Sequence, residues 1–113
     1  MGQAAEHIDL DALKELQAVM GDEFSLLIET FTSDSVLRIE GIREAVATAD
    51  PESIRRAAHS FKGSAGNMGA VRLTELCRTM EEEGHQGSTA GCENLLNEIE
   101  AEYAQVQSVL TSL

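Results

Sequence analysis

Asp50-Pro51-Glu52-Ser53-Ile54-Arg55-Arg56-Ala57-Ala58-His59-Ser60-Phe61-Lys62-Gly63-Ser64-Ala65-Gly66-Asn67-Met68 carries both a helix start and an amphipathic helical pattern. Aspartate followed by proline marks a helix start: the carboxylate caps free amide groups, and the N–H that proline lacks is not needed at the first helical position. At about 100° per residue, Ile54, Ala57, Ala58, Phe61, Ala65 and Met68 fall on one side and form a core-facing stripe. His59 lies roughly opposite that stripe. Arg55, Arg56, Lys62, Gly63 and Gly66 flank it on the outer surface, because residues three and four apart are neighbours on a helix. Gly63 and Gly66 each cost about 1 kcal/mol of helix propensity relative to alanine. A solvated face gives no reason to accept that cost, whereas close approach by another molecule does. Gly66, Asn67 and Gly69 then signal the helix end.

Working outward, the same 3.6-residue rhythm recurs on both sides. Residues 1–7 read as a flexible N-terminus, with His7 loose, and residues 8–113 as one helical domain. Asp9 is placed to cap a first short helix to about Met20, with Leu10, Leu13, Leu16 and Met20 on one face and Gly21 as its stop. Asp22 is expected to cap a long second helix to about Ala49, with Phe24, Leu27, Ile28, Phe31, Val36, Ile39, Ile42 and Val46 as its stripe. Gly41 interrupts it without an evident reason. After the His59 helix, a fourth is expected from about Ala70 to Glu83, with Leu73, Leu76, Cys77 and Met80 inward. Gly84-His85-Gln86-Gly87-Ser88-Thr89 reads as a turn that leaves His85 on a surface loop. A last helix starts between Ser88 and Glu93 and carries Leu95, Leu96, Ile99, Tyr103, Val106 and Leu110. Short connections make neighbours antiparallel. The expected fold is all-α: an up-down-up-down four-helix bundle with the short first helix across one end, although periodicity alone does not place that helix.

Composition supports this. A chain of 113 residues is one domain with room for one core. Aromatic content is 4% with no Trp, so the core must be Leu, Ile, Val, Ala and Met at helical spacing. One proline and no alternating β-branched runs argue against a sheet. The net charge of −12 disfavours nucleic acid and anionic membranes as partners. No apolar run approaches the roughly 20 residues of a membrane span, and the N-terminus has no signal-peptide pattern, so a soluble cytoplasmic protein is expected. Cys77 and Cys92 form no CxxC; Cys77 shares the face of Leu73 and Met80 and reads as buried filling.

The acids are unevenly placed. None lies between Glu52 and Glu75, where Arg55, Arg56, Lys62 and Arg72 make up half of the eight basic residues. This is either ordinary patchiness or a positive site that steers an anionic group on a partner. His59 is likewise either a solvated surface histidine or a nucleophile, since a neutral imidazole can accept and release a phosphoryl group. Cations one turn away favour a bound dianion, with Lys62 as a mobile point charge suited to phosphate. Position and charge alone leave both readings open.

His59-Ser60-Phe61-Lys62-Gly63-Ser64-Ala65, closed by Gly69, resembles the signature of histidine-containing phosphotransfer (HPt) domains, roughly His-x-Leu-Lys-Gly-[Ser/Ala]-[Ser/Ala]. Chain length and helix order resemble free-standing bacterial members. Phe61 stands where leucine is usual, on the buried side. The resemblance implies that His59 is the phosphorylated residue, that Lys62 and Gly63 assist it, and that Glu81 bonds the ring nitrogen that is not phosphorylated. The alternative for Glu81 is a place in the solvated run Glu81-Glu82-Glu83. Arg55, Arg56, Ser60, Gly66 and Arg78 are expected around this centre, where a partner would touch. The implied partners are receiver domains of response regulators or hybrid sensor kinases, with Mg²⁺ on the receiver and no cofactor or metal on this chain, which is expected to be a monomer. There is no Walker loop and no Gly-rich nucleotide fingerprint, so neither ATP binding nor self-phosphorylation is expected.

Two other classes compete. Glu82-Glu83-Gly84-His85 satisfies Glu-x-x-His, but a di-iron bundle needs two such motifs and two further carboxylates, and no second copy exists. The stronger rival is a phosphorylation-independent interaction module of the same shape that binds a kinase or regulator through its surface.

Overall fold

The computed structural model describes residues 7–113. From Leu10 on, five helices lie among the described residues: α1 (Leu10–Met20), α2 (Glu23–Thr48), α3 (Pro51–Asn67), α4 (Val71–His85) and α5 (Cys92–Thr111). There is no strand among the described residues.

The helix boundaries follow local chemistry. Asp9 accepts from the Ala12 amide at 3.2 Å and caps α1, and Gly21 ends it at φ 59°. Asp50 accepts from the Glu52 amide at 3.3 Å and from Ser53 Oγ at 2.7 Å, with Pro51 opening α3. Asp22 behaves otherwise than expected: it is already helical and its carboxylate makes no capping bond. The Phe24 amide, a donor such a cap would use, is taken by Gly21 O at 3.1 Å. Ala49 closes α2 in the left-handed region at φ 53°.

Helices α2 to α5 form the up-down-up-down bundle. The α3–α4 pair is antiparallel: Gly66 meets Thr74, Lys62 meets Glu81, and Arg55 meets Gly84. The α2–α5 pair is also antiparallel, with Tyr103 Oη donating to Thr32 O at 3.4 Å and Arg43 paired with Glu100. The core is the expected aliphatic set plus one aromatic cluster. Phe31 of α2 and Phe61 of α3 lie 6.3 and 6.4 Å, centroid to centroid, from Tyr103 of α5.

The short α1 crosses the end of the bundle where α2 begins and α3 turns into α4. Its start is tied there by the Asp9 amide, which donates to Gly69 O at 2.8 Å, and Gly69 sits at φ 71° in that turn. Upstream, the chain is not loose where it is described. His7 is buried and its Nδ1 lies 2.6 Å from the equally buried Glu102 carboxylate of α5. Positions 1–6 lie outside the described residues.

Two further expectations are corrected. Val36 is 56% exposed and Ser35 takes its place in the α2 stripe. The buried series Phe31, Ser35, Ile39, Ile42 keeps one helical phase, and Val36, about 100° further round, falls at the edge of a groove with Tyr103. Gly84 and His85 are not in a loop: α4 continues through His85. His85 is exposed, as expected, but helical. Gly84 is buried where α4 crosses the start of α3, and an added Cβ would stand 2.6 Å from Pro51 O and 2.8 Å from Arg55 N.

Candidate functional site

Buried Ile54, Ala58, Phe61 and Ala65 fix the rotation of α3. That rotation presents His59 outward, with 64% of its side chain exposed. From the neighbouring α4, Glu81 reaches back over the seam between the two helices. Its Oε2 lies 2.8 Å from His59 Nδ1, and its Oε1 lies 2.6 Å from Lys62 Nζ. One carboxylate therefore holds both the imidazole and the ammonium.

The Lys62 hydrogen bond keeps the Glu81 carboxyl below its usual range; partial burial opposes this and the His59 bond adds to it. An ionised carboxylate can only accept hydrogen bonds, so Nδ1 of His59 carries the proton. In the neutral ring this leaves Nε2 with a free lone pair facing solvent. Beneath the pair, burial pushes the Cys77 thiol up to about 12, so it is inert filling at neutral pH.

Gly63 lies one turn from His59 with nothing within 4 Å of an added Cβ. Gly66 is nearly as open, with Thr74 of α4 at 3.9 Å. The α3 surface beside the ring is thus bare backbone over two turns.

The charges are less free than the sequence suggests. Arg55 donates to Glu52 at 2.9 and 2.7 Å, and Arg56 donates to the same carboxylate at 3.0 Å. Those bonds pull the Glu52 carboxyl down to about 2. Arg78 is paired with Glu75. Glu52 thus neutralises the two arginines at the start of the acid-free segment, Glu75 holds Arg78 just beyond its end, and Glu81 engages Lys62 from another helix. Lys62 is consequently held rather than mobile. Arg55, Lys62, Arg78, Glu81, Glu82 and His85 together line an open groove between α3 and α4.

Ser60 lies on the opposite flank. Its hydroxyl accepts from Arg38 of α2, whose Nε also bonds Asp34 one turn back. The pairing of Asp34 with Arg38 has the spacing of a helical ion pair and was open to notice in the sequence. The reach to Ser60, across 22 positions of chain, has no local signal. The same holds for His7 and Glu102.

An outward histidine on a four-helix bundle, with a carboxylate fixing one ring nitrogen and bare glycine backbone beside it, defines a class of phosphoryl-carrying domain. Residues 26–109 match the Hpt domain family model, and the chain belongs to the histidine-containing phosphotransfer family. It is similar to histidine-containing phosphotransfer protein B from Pseudomonas aeruginosa PAO1, whose crystal structure superposes with a TM-score of 0.90 at 37% identity over 94% of this chain and 92% of that one. It is also 28% identical to histidine-containing phosphotransfer protein 2 of Arabidopsis thaliana over 105 residues, 89% of this chain and 67% of the relative. The function of the chain is histidine phosphotransfer in phosphorelay signalling, as a phosphoryl-carrying intermediate with response regulators or kinases as partners. No described helix is long and apolar enough to cross a membrane.

Proposed function

We propose that His59 is the phosphoryl acceptor and that it exchanges the group reversibly with aspartates of receiver domains. The observation that carries this reading is the His59 ring itself, exposed and with Nδ1 engaged by Glu81, so that Nε2 is the available nucleophile. In the forward step Nε2 attacks the phosphorus of a receiver's phospho-aspartate. The N–P bond forms, the P–O bond to the aspartate breaks, and the aspartate leaves as a free carboxylate. The Nδ1 proton stays on the bond to Glu81, which stabilises the positive charge that develops on the ring. Such transfer depends mostly on positioning and charge stabilisation.

Gly63 and Gly66 leave room for the partner's loops, with Arg55, Arg56, Ser60 and Arg78 at the rim of the contact. Lys62 supports the site by holding Glu81 and by adding positive charge near the transferred group. Mg²⁺ belongs on the receiver. The chain works as a monomeric cytoplasmic carrier without kinase activity of its own.

The test is incubation with a phosphorylated receiver domain and Mg²⁺. The expected result is label on this chain that survives alkali, is lost in acid, and is absent from His59→Gln. Absence of label with several receivers would replace this reading with the phosphorylation-independent interaction module.

A further inference from the structure

A phosphoryl group on His59 brings about two negative charges to the face of an acidic protein, so the cations around it matter. Lys62 already serves Glu81, Arg55 and Arg56 share Glu52, and Arg78 serves Glu75. Withdrawing any of these bonds in favour of phosphate gives up an anionic acceptor to gain another. Arg38 differs. It keeps Asp34 on Nε while Nη1 is bonded to a neutral acceptor, the hydroxyl of Ser60. Exchanging that hydroxyl for a phosphoryl oxygen replaces a neutral hydrogen bond with a charge-assisted one, roughly twice as strong.

Position favours the same residue. Ser60 follows His59 directly, so its hydroxyl lies at the α2 edge of the face that carries the ring. Glu81, which would repel a dianion, stands at the α4 edge and holds Nδ1, the nitrogen away from the phosphoryl group. The Arg38 side chain is one-third exposed and gripped by Asp34, whereas that of Arg56 is 74% exposed and has more freedom to lose on binding.

We propose that Arg38 is a charge-stabilising residue for phosphohistidine: on phosphorylation of His59 its Nη1 leaves Ser60 Oγ and donates to a phosphoryl oxygen, while Asp34 keeps Nε. The inference rests on His59 being the acceptor. It adds to the site a residue from α2, a helix outside the motif.

The experiment phosphorylates the full chain with phosphoramidate, a small-molecule donor that needs no partner, and follows it by ³¹P NMR and by the arginine ¹³Cζ signals. A phosphohistidine resonance is expected that His59→Gln abolishes. The Arg38 ¹³Cζ signal, assigned by its loss in Arg38→Gln, should shift as that resonance grows. Arg38→Gln should shorten the phosphohistidine lifetime by about three- to tenfold, the size of one lost charge-assisted bond, with an unchanged melting temperature, and Arg38→Lys should recover most of the lifetime. If His59 is phosphorylated but the Arg38 signal stays still and the Arg38→Gln lifetime matches wild type, the role of Arg38 is refuted while the acceptor assignment stands. A shortened lifetime accompanied by lowered melting, with no recovery in Arg38→Lys, refutes it too, by reducing Arg38 to a helix strut. A phosphohistidine signal that persists in His59→Gln, or never forms, overturns both.

Discussion

Glu81 is one carboxylate divided between an imidazole and an ammonium, and its ionisation sets the state of both. Because its folded pKa lies below the unfolded carboxyl value of about 4.3, it stabilises the fold above that pH and loses the contribution as pH falls through the lower, folded value. Glu81→Gln should therefore be less stable than wild type by about 1 kcal/mol near neutral pH, with a smaller difference at an acid pH below the ordinary carboxyl range. Urea denaturation at the two pH values measures this, and an equal difference at both would contradict the ion-pair account. At Gly63 the expectation runs the other way. An added Cβ meets nothing within 4 Å, and an exposed helical glycine gives up about 0.5–1 kcal/mol. Gly63→Gln should melt no lower than wild type and still transfer phosphate slowly from a receiver, because its obstruction is to the partner. A large loss of melting temperature would mean that Gly63 is packed. His59, Lys62 and Gly63 were legible as one outward face because they share a helix and helix phase is local. The choice between a solvated Glu81 and one bonded to His59 was not, because it depends on how closely α4 lies against α3.

That spacing belongs to the elements. α3 and α4 cross most tightly at Gly84, whose missing Cβ leaves room for the backbone of Pro51 and Arg55. Glu81 sits about one turn before this crossing on α4, and Arg55 about one turn before His59 on α3. Gly84→Ala gains helix propensity yet forces two backbones apart, and overpacking of this kind costs about 1–3 kcal/mol. We expect a net loss of about 1 kcal/mol in urea denaturation, together with slower phosphotransfer as Glu81 is drawn off His59. A variant as stable and as active as wild type would show that the crossing is not strained. From composition alone this glycine read as part of a turn. Burial against another helix overrode that local signal, as it did at Ser35 and Val36, where the positions of α3 and α5 selected which side of α2 faces inward.

At the scale of the whole molecule, the chain ahead of α1 is fastened at two points, Asp9 to the α3–α4 turn and His7 to Glu102 on α5. Glu102 is 5% exposed. His7→Ala would leave it buried without this partner, at a cost of about 1–3 kcal/mol, and adding Glu102→Gln should return part of that loss because an amide is cheaper to bury than a carboxylate. Denaturant midpoints of the single and double variants measure both effects; an unchanged midpoint in His7→Ala would show the fastening to be idle.

Local patterns in the chain placed the helices, their approximate ends, most inward-facing positions and the outward His59 with its lysine and glycine, because turn chemistry and a 3.6-residue period act between residues a few positions apart. Helix packing was needed to show that His7 is anchored, that Glu81 clasps His59 and Lys62, that Gly84 is a crossing point and that Arg38 reaches Ser60. Those contacts join residues far apart in the chain, and their geometry comes from the packing of whole helices, which no local pattern encodes.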